Sequence, residues 1–139
     1  MTGPTNARNS NDAPRRLAAL AAMVATIALG LASRHWPSVL PAFLGKYPGD
    51  ALWALMVFLG WRALRPRVRT RGAARSAMAT CAVVECAKLW QVPWLVAFRG
   101  TTLGHLLLGH VFSWQNLVAY AVGVLAGAAL DRLLDGATP

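Results

Sequence analysis

Apolar residues gather in long blocks along this chain, and the polar residues between them fall into two unlike groups. Leu17–Ala32 is an alanine-rich apolar run, and further runs cover about residues 50–65, 73–92 and 114–134. Runs of this length read as helices that enter or cross a bilayer, since ~30 Å of hydrocarbon takes about 20 helical residues. The predicted spans are therefore about 17–33, 50–65, 73–92 and 114–134. The second is short. Asp50, just after Pro48-Gly49, suits its N-cap, with a carboxylate beside the positive end of the helix dipole. Pro93 is expected to end the third, because proline has no amide to donate and clashes with the preceding turn.

A fifth apolar stretch, Phe98–Phe112, is too short to cross and is punctuated by Gly100, Gly104 and Gly109. It reads as a half-helix or re-entrant hairpin, tolerated at membrane depth only where protein covers it or it lines a wet cavity. The expected fold is thus all-α: an integral membrane bundle of four transmembrane helices plus one short segment at about 98–112. A single membrane domain covers 17–134, between a flexible tail at 1–16 and a short one at 135–139. Arg15-Arg16 ahead of the first run would also suit a secretory signal. A retained span is the preferred reading, since no clean A-x-A cleavage site follows. In the linker Arg34–Pro48, Trp36 and Tyr47 stand as interface anchors around a short, partly inserted turn.

Composition supports the membrane assignment, and charge orients it. Hydrophobic residues make up 56% of the chain and charged residues only 14%, against about 25% charged in ordinary soluble domains. A net charge of +9 would point to nucleic acid if it were spread over a soluble fold. It is concentrated instead. Arg62, Arg65, Arg67, Arg69, Arg71 and Arg75 crowd one connection, and Arg8, Arg15 and Arg16 precede the first run. Cytoplasmic flanks of membrane helices collect such residues. Both termini are then cytoplasmic, no nucleic-acid partner is expected, and Arg34–Pro48 and Pro93–Ser113 lie outside. The same arginines could also grip anionic lipid headgroups.

The third run carries the chemistry. Glu85 and Lys88 interrupt the stretch SAMATCAVVECAKLW, where a charge at a bilayer centre costs roughly 2.5–3.5 kcal/mol even on lenient insertion scales. Three residues apart, they share a helix face and can pair. One reading is a self-neutralised ion pair that fixes packing. The other is a headgroup or ion site, with Glu85 as acceptor and Lys88 or Arg99 as anion partner. Asp50, Arg99, His105, His110 and Asn116 belong to the same outer leaflet, and Asn116 and Tyr120 share one face of the last span. His105 and His110 are five apart, about 140° around a helix, so no metal site is expected. Cys81 and Cys86 read as buried free thiols. No catalytic triad, phosphate loop or metalloprotease signature appears, and no cofactor is expected. Ala119, Gly123 and Gly127, four apart, form a small-residue stripe that serves either dimerisation or internal packing, the second preferred.

Tyr47-Pro48-Gly49-Asp50-Ala51-Leu52-Trp53-Ala54 resembles the GD-x-LWA segment of a bacterial membrane family, domain of unknown function 2809. Glu85, Pro93-Trp94, Arg99-Gly100-Thr101-Thr102-Leu103-Gly104, Phe112-Ser113-Trp114 and Leu117-Val118-Ala119-Tyr120 are similar to it in order and spacing. The layout also bears a fainter likeness to VanZ-like membrane proteins. The resemblance implies a multi-pass protein of the bacterial inner (plasma) membrane. Two departures stand out: Lys88 replaces the family's usual Gln, and Asn116 its usual Asp.

Three functions are compatible with these residues. One is an outward-facing pocket for a lipid or cell-envelope headgroup, formed by Asp50, Trp53, Glu85, Lys88, Arg99, Asn116 and Tyr120. A second is an accessory subunit of a larger membrane complex, or a homo-oligomer, joined through the Ala119/Gly123/Gly127 face. A third is a small transporter or membrane enzyme with Glu85 as titrating group. It ranks last, because the charges do not cross the bilayer. Besides the lipid bilayer itself, no partner can be named.

Overall fold

A computed structural model describes residues 12–36, 41 and 45–136. Six helices and no strand occur among them: α1 (Asp12–His35), α2 (Tyr47–Leu64), α3 (Thr70–Ala87), α4 (Pro93–Arg99), α5 (Thr102–Leu108) and α6 (Trp114–Gly136). The tail before Asp12 and most of the linker between Trp36 and Gly45 lie outside the described residues.

Contacts between side chains set the helix directions. Met23 of α1 lies beside Gly60 of α2, and Asp12 pairs with Arg67 just beyond the end of α2, so these helices are antiparallel. Glu85 meets Tyr120 while Thr70 meets Asp131, so α3 is antiparallel to α6. In contrast, α2 and α6 run parallel, with Gly123 against Ala51 and Gly127 against Phe58. The C-terminal ends of α1 and α3 therefore gather with the N-terminal ends of α2 and α6, and the short α4 and α5 join them there.

Several boundaries differ from the sequence expectation, each for a local reason. α1 starts at Asp12 rather than near residue 17, with that carboxylate in its first turn and 2.9 Å from Arg67. α3 covers Thr70–Ala87 where a span at 73–92 is expected. It closes in tight turns, with Lys88 N–H donating to Glu85 and Leu89 N–H to Cys86. Pro93 does not stop α3 but opens α4, where proline's missing amide leaves nothing unsatisfied. The half-helix expected at 98–112 is two pieces. Thr101 caps α5 by accepting from Gly104 N–H at 3.0 Å. Gly104 lets the two pieces cross, since a Cβ there would stand 1.9 Å from the Phe98 carbonyl oxygen. Gly109, at φ +64°, ends α5 in a conformation that favours glycine.

The core is a thin apolar layer of Ala54, Phe58 and Leu59 from α2, Ala73, Ala77 and Cys81 from α3, and Tyr120 and Val124 from α6. The stripe of Ala119, Gly123 and Gly127 faces α2 from within. A Cβ on Gly123 would lie 2.0 Å from the Ala51 carbonyl oxygen, so only glycine permits this approach. Internal packing thus takes up the face that a dimer would have needed. Outside the bundle the surface is apolar: Leu17, Val24 and Leu29 of α1, Val83 of α3, and Val118, Leu125 and Leu133 of α6 are all exposed. Asp12–Ser33 and Trp114–Asp135 are each long and apolar enough to cross a membrane.

At the arginine-rich end, Arg62 turns inward instead of reaching along the surface. It is 8% exposed, with Nε donating to Asp131 at 2.9 Å and Nη1 to the Val68 carbonyl at 2.5 Å. Thr70 donates to the other Asp131 oxygen at 2.6 Å. One arginine and one aspartate thereby tie α2, α3 and α6 together.

Candidate functional site

The opposite end is built around Glu85. Its position on the last turn of α3 faces the start of α6, and the residue is 0% exposed. Four donors meet its two oxygens. Oε2 accepts from Lys88 Nζ at 2.5 Å and from the Tyr120 hydroxyl at 2.9 Å. Oε1 accepts from the Ser113 backbone N–H at 2.8 Å and from Asn116 Nδ2 at 3.1 Å. A buried carboxylate is tolerable only when paired and hydrogen-bonded, and this one is both. Residue spacing explains the gathering: Glu85 and Lys88 share a face of α3, and Asn116 and Tyr120 share a face of α6.

Lys88 is held between the carboxylate and Tyr120, with Nζ 3.4 Å from the phenol oxygen and 6.0 Å from the ring centroid. Gly109 covers it from the far side. A Cβ there would lie 3.2 Å from Cε and 3.3 Å from Nζ, so the left-handed glycine makes room for the lysine stem. Neither Gly109 nor the Ser113 amide is legible as a site residue beforehand, because both act through the backbone.

A cavity of about 490 Å³ opens beside this cluster. Asp50 and Trp53 of α2, Lys88, and Asn116 and Tyr120 of α6 line it, together with Ser33, Lys46 and the residues from His105 to Val111. Trp53 tilts against Tyr120 with ring centroids 5.4 Å apart. Two buried polar atoms on lining side chains have no hydrogen-bond partner among the described residues: Asn116 Oδ1 and Trp53 Nε1. The amide orientation of Asn116 follows from chemistry, since Glu85 accepts and so requires the NH₂ group on its side. Its carbonyl is left to face elsewhere.

Five of the seven expected site residues therefore line one cavity: Asp50, Trp53, Lys88, Asn116 and Tyr120. Glu85 lies beneath them and orients three. Arg99 is placed differently. It is 3% exposed and caps the end of α3, donating to the carbonyls of Ala87, Lys88 at 3.3 Å and Trp90 at 2.8 Å. Those carbonyls lie at the end of a helix, where the regular ladder stops, and a guanidinium fork reaches several at once. Arg99 positions the α3–α4 corner and does not line the cavity with the other charges. The spacing argument on His105 and His110 also fails. Helix α5 stops at Leu108, and the Gly109 turn stacks the two imidazoles 4.5 Å apart at 29°. No group of three or more His, Cys, Asp or Glu among the described residues is arranged to hold a metal ion. Cys81 is buried as expected, while Cys86 is exposed on the outer surface of α3.

Chemically, the cluster holds fixed charges and directed dipoles at the mouth of a cavity. Each of the four donors around Glu85 gives it a hydrogen bond, so the carboxylate acts as a keystone. No solved structure matches the chain. Residues 39–124, more than half of it, match the family described as protein of unknown function (DUF2809), and the chain belongs to that family.

Proposed function

We propose that this is a membrane protein whose four long helices α1, α2, α3 and α6 all traverse the bilayer, with both termini in the cytoplasm. Its outward-facing cavity binds the headgroup of a lipid or cell-envelope molecule. The inside-out distribution of side chains supports the membrane setting: charges and amides are buried while leucine, valine and tryptophan face out. Contiguous apolar surface on that scale is rare on soluble monomers. α2 and α3 are 18 residues each, about 27 Å at 1.5 Å per residue. They approach the hydrocarbon thickness, with arginines just beyond their inner ends. Arg65, Arg67, Arg69, Arg71 and Arg75 would all lie on the cytoplasmic side, as the positive-inside rule prescribes.

The observation that carries the binding function is the pair of unpartnered buried atoms, Asn116 Oδ1 and Trp53 Nε1, on two residues that line the 490 Å³ cavity. An unsatisfied buried polar group costs about 1–3 kcal/mol, and a ligand that satisfies it recovers that free energy. Transport ranks below binding. Phe58, Ala54, Ala77 and Cys81 form an apolar layer between the two polar ends, and a relay would have to cross it.

Mild extraction followed by native mass spectrometry tests this reading. A bound molecule of defined mass should accompany the wild-type protein. Trp53→Phe removes the indole N–H and keeps an aromatic ring, so retention should fall about fivefold, equivalent to one hydrogen bond of about 1 kcal/mol. Unchanged retention in that variant, or no bound species in the wild type, sinks the proposal.

A further inference from the structure

Beside the polar cavity runs an apolar groove of about 300 Å³ between α1, α2 and α5. Ile27, Gly30 and Leu31 form one wall, Leu52 and Met56 another, and Leu103 closes the third side. Thr26 also lines it, but its hydroxyl donates to the Ala22 carbonyl at 2.8 Å and leaves its methyl group to the surface. The groove and the cavity adjoin, with Gly49, Trp53, Leu106 and Leu107 lining both. Trp53 marks the boundary: one side chain touches a polar chamber and a hydrocarbon channel.

We infer that the ligand is a single amphiphile, with a neutral hydroxyl-bearing headgroup in the cavity and a hydrocarbon chain in the groove. This rests on the headgroup-binding function proposed above and names its ligand class. The junction itself argues for one molecule with two halves, since a free polar solute would leave the groove without a partner. The lining atoms select the headgroup. Asn116 offers an acceptor and Trp53 a donor, and a hydroxyl satisfies either, being donor and acceptor at once. A fully ionised phosphate ester has only acceptors, so it would leave the Asn116 carbonyl unmatched and bring an anion beside Asp50. Lys88 does not reverse this preference, because Glu85 pairs with it at 2.5 Å, and Lys46, the cavity's other lysine, stands exposed one turn before Asp50 and offsets it. Aromatic faces at Trp53 and Tyr120 suit the C–H face of a sugar ring.

The test uses the full chain in nanodiscs of phosphatidylethanolamine and phosphatidylglycerol, with two photoactivatable probes. Both carry a diazirine on an octyl chain; one has a glucose headgroup and the other a phosphate. The glucoside should label Leu31, Leu52, Met56 or Leu103, and excess methyl glucoside should suppress the labelling. The phosphate probe should label these positions at least tenfold less. Gly30→Phe then fills the groove. A Cβ at Gly30 meets nothing within 4 Å, so the variant should fold as the wild type does. Groove labelling should drop at least tenfold, while methyl glucoside still shows saturation transfer from the protein by NMR.

Labelling of Gly30→Phe at the wild-type level overturns the placement of the chain, and continued saturation transfer then leaves the headgroup site standing. Equal or stronger labelling by the phosphate probe overturns the hydroxylated class. Absence of both labelling and saturation transfer removes this inference and the headgroup-binding proposal together.

Discussion

The two ends of the bundle bury charge in opposite styles. At the arginine-rich end, Arg62 and Asp131 meet at 2.9 Å, Val68 and Thr70 add a hydrogen bond to each, and Asp135 lies 3.9 Å from Arg62 Nη2. At the cavity end, Glu85 is equally well satisfied, yet its own partners are not: Asn116 keeps a carbonyl without a partner on the cavity wall. Closed networks hold helices together. Networks with loose ends beside open volume have capacity left for a ligand. Burial of a charge therefore does not by itself distinguish structure from function; the satisfaction of its neighbours does.

The largest effect should come from breaking the closed network. Arg62→Met leaves Asp131 uncompensated, and removing one partner of a buried pair costs about 3–5 kcal/mol. The thermal midpoint in detergent should fall sharply, while ligand retained per folded molecule stays constant. Arg62→Met combined with Asp131→Leu should recover most of the stability, because replacing a whole buried pair with apolar groups is near neutral.

At the cavity end, Glu85→Gln should cost about 1.5–3 kcal/mol, the range for hydrogen bonds to charged groups, because glutamine keeps an acceptor oxygen for Lys88 where methionine keeps nothing for Asp131. It should also lower ligand retention, because Lys88, Asn116 and Tyr120 lose their common anchor. The double variant Glu85→Gln with Lys88→Met sharpens the contrast. Stability should return while retention does not. Recovery of both would make this cluster as purely structural as the other.

Between the two ends, Gly123→Val drives a side chain into the Ala51 carbonyl, and overpacking of this kind costs about 1–3 kcal/mol. It should loosen both ends equally, as read by cross-linking of engineered cysteines across α2 and α6. The smallest effect belongs to Arg67→Ala. Its pair with Asp12 involves an arginine side chain 64% exposed, and such surface pairs contribute about 0.2–1 kcal/mol. A larger loss would show that this contact belongs to the closed network.

Much of the cavity end is legible in the residues alone. A glutamate and a lysine in an apolar run have few places to go, and helical spacing brings Asn116 and Tyr120 onto one face. The GD-x-LWA segment marks the start of α2, with Asp50 and Trp53 a turn apart. Arg99 is harder to read, since its partners are backbone carbonyls that leave no trace in side-chain chemistry. Pro93 suits a helix end or a helix start equally well, and only the Arg99-capped corner decides between them. The His105–His110 stack depends on one positive-φ glycine, which invalidates a helical wheel drawn across it. Arg62 and Asp131, 69 residues apart, each look like ordinary flanking charges. The signal that could have paired them is depth, since both lie about one turn inside the same end of parallel helices.

That parallel contact has a consequence for synthesis. α2 leaves the ribosome well before α6, yet Gly123 and Gly127 of α6 are what let the two helices pack closely. Ser113, Asn116 and Tyr120 supply three of the four donors to Glu85, so before they are made it has Lys88 alone. The nascent chain thus carries a carboxylate short of partners until then. Closure waits for α6, and a ribosome stalled before residue 114 would hold a bundle that has not yet found its seam.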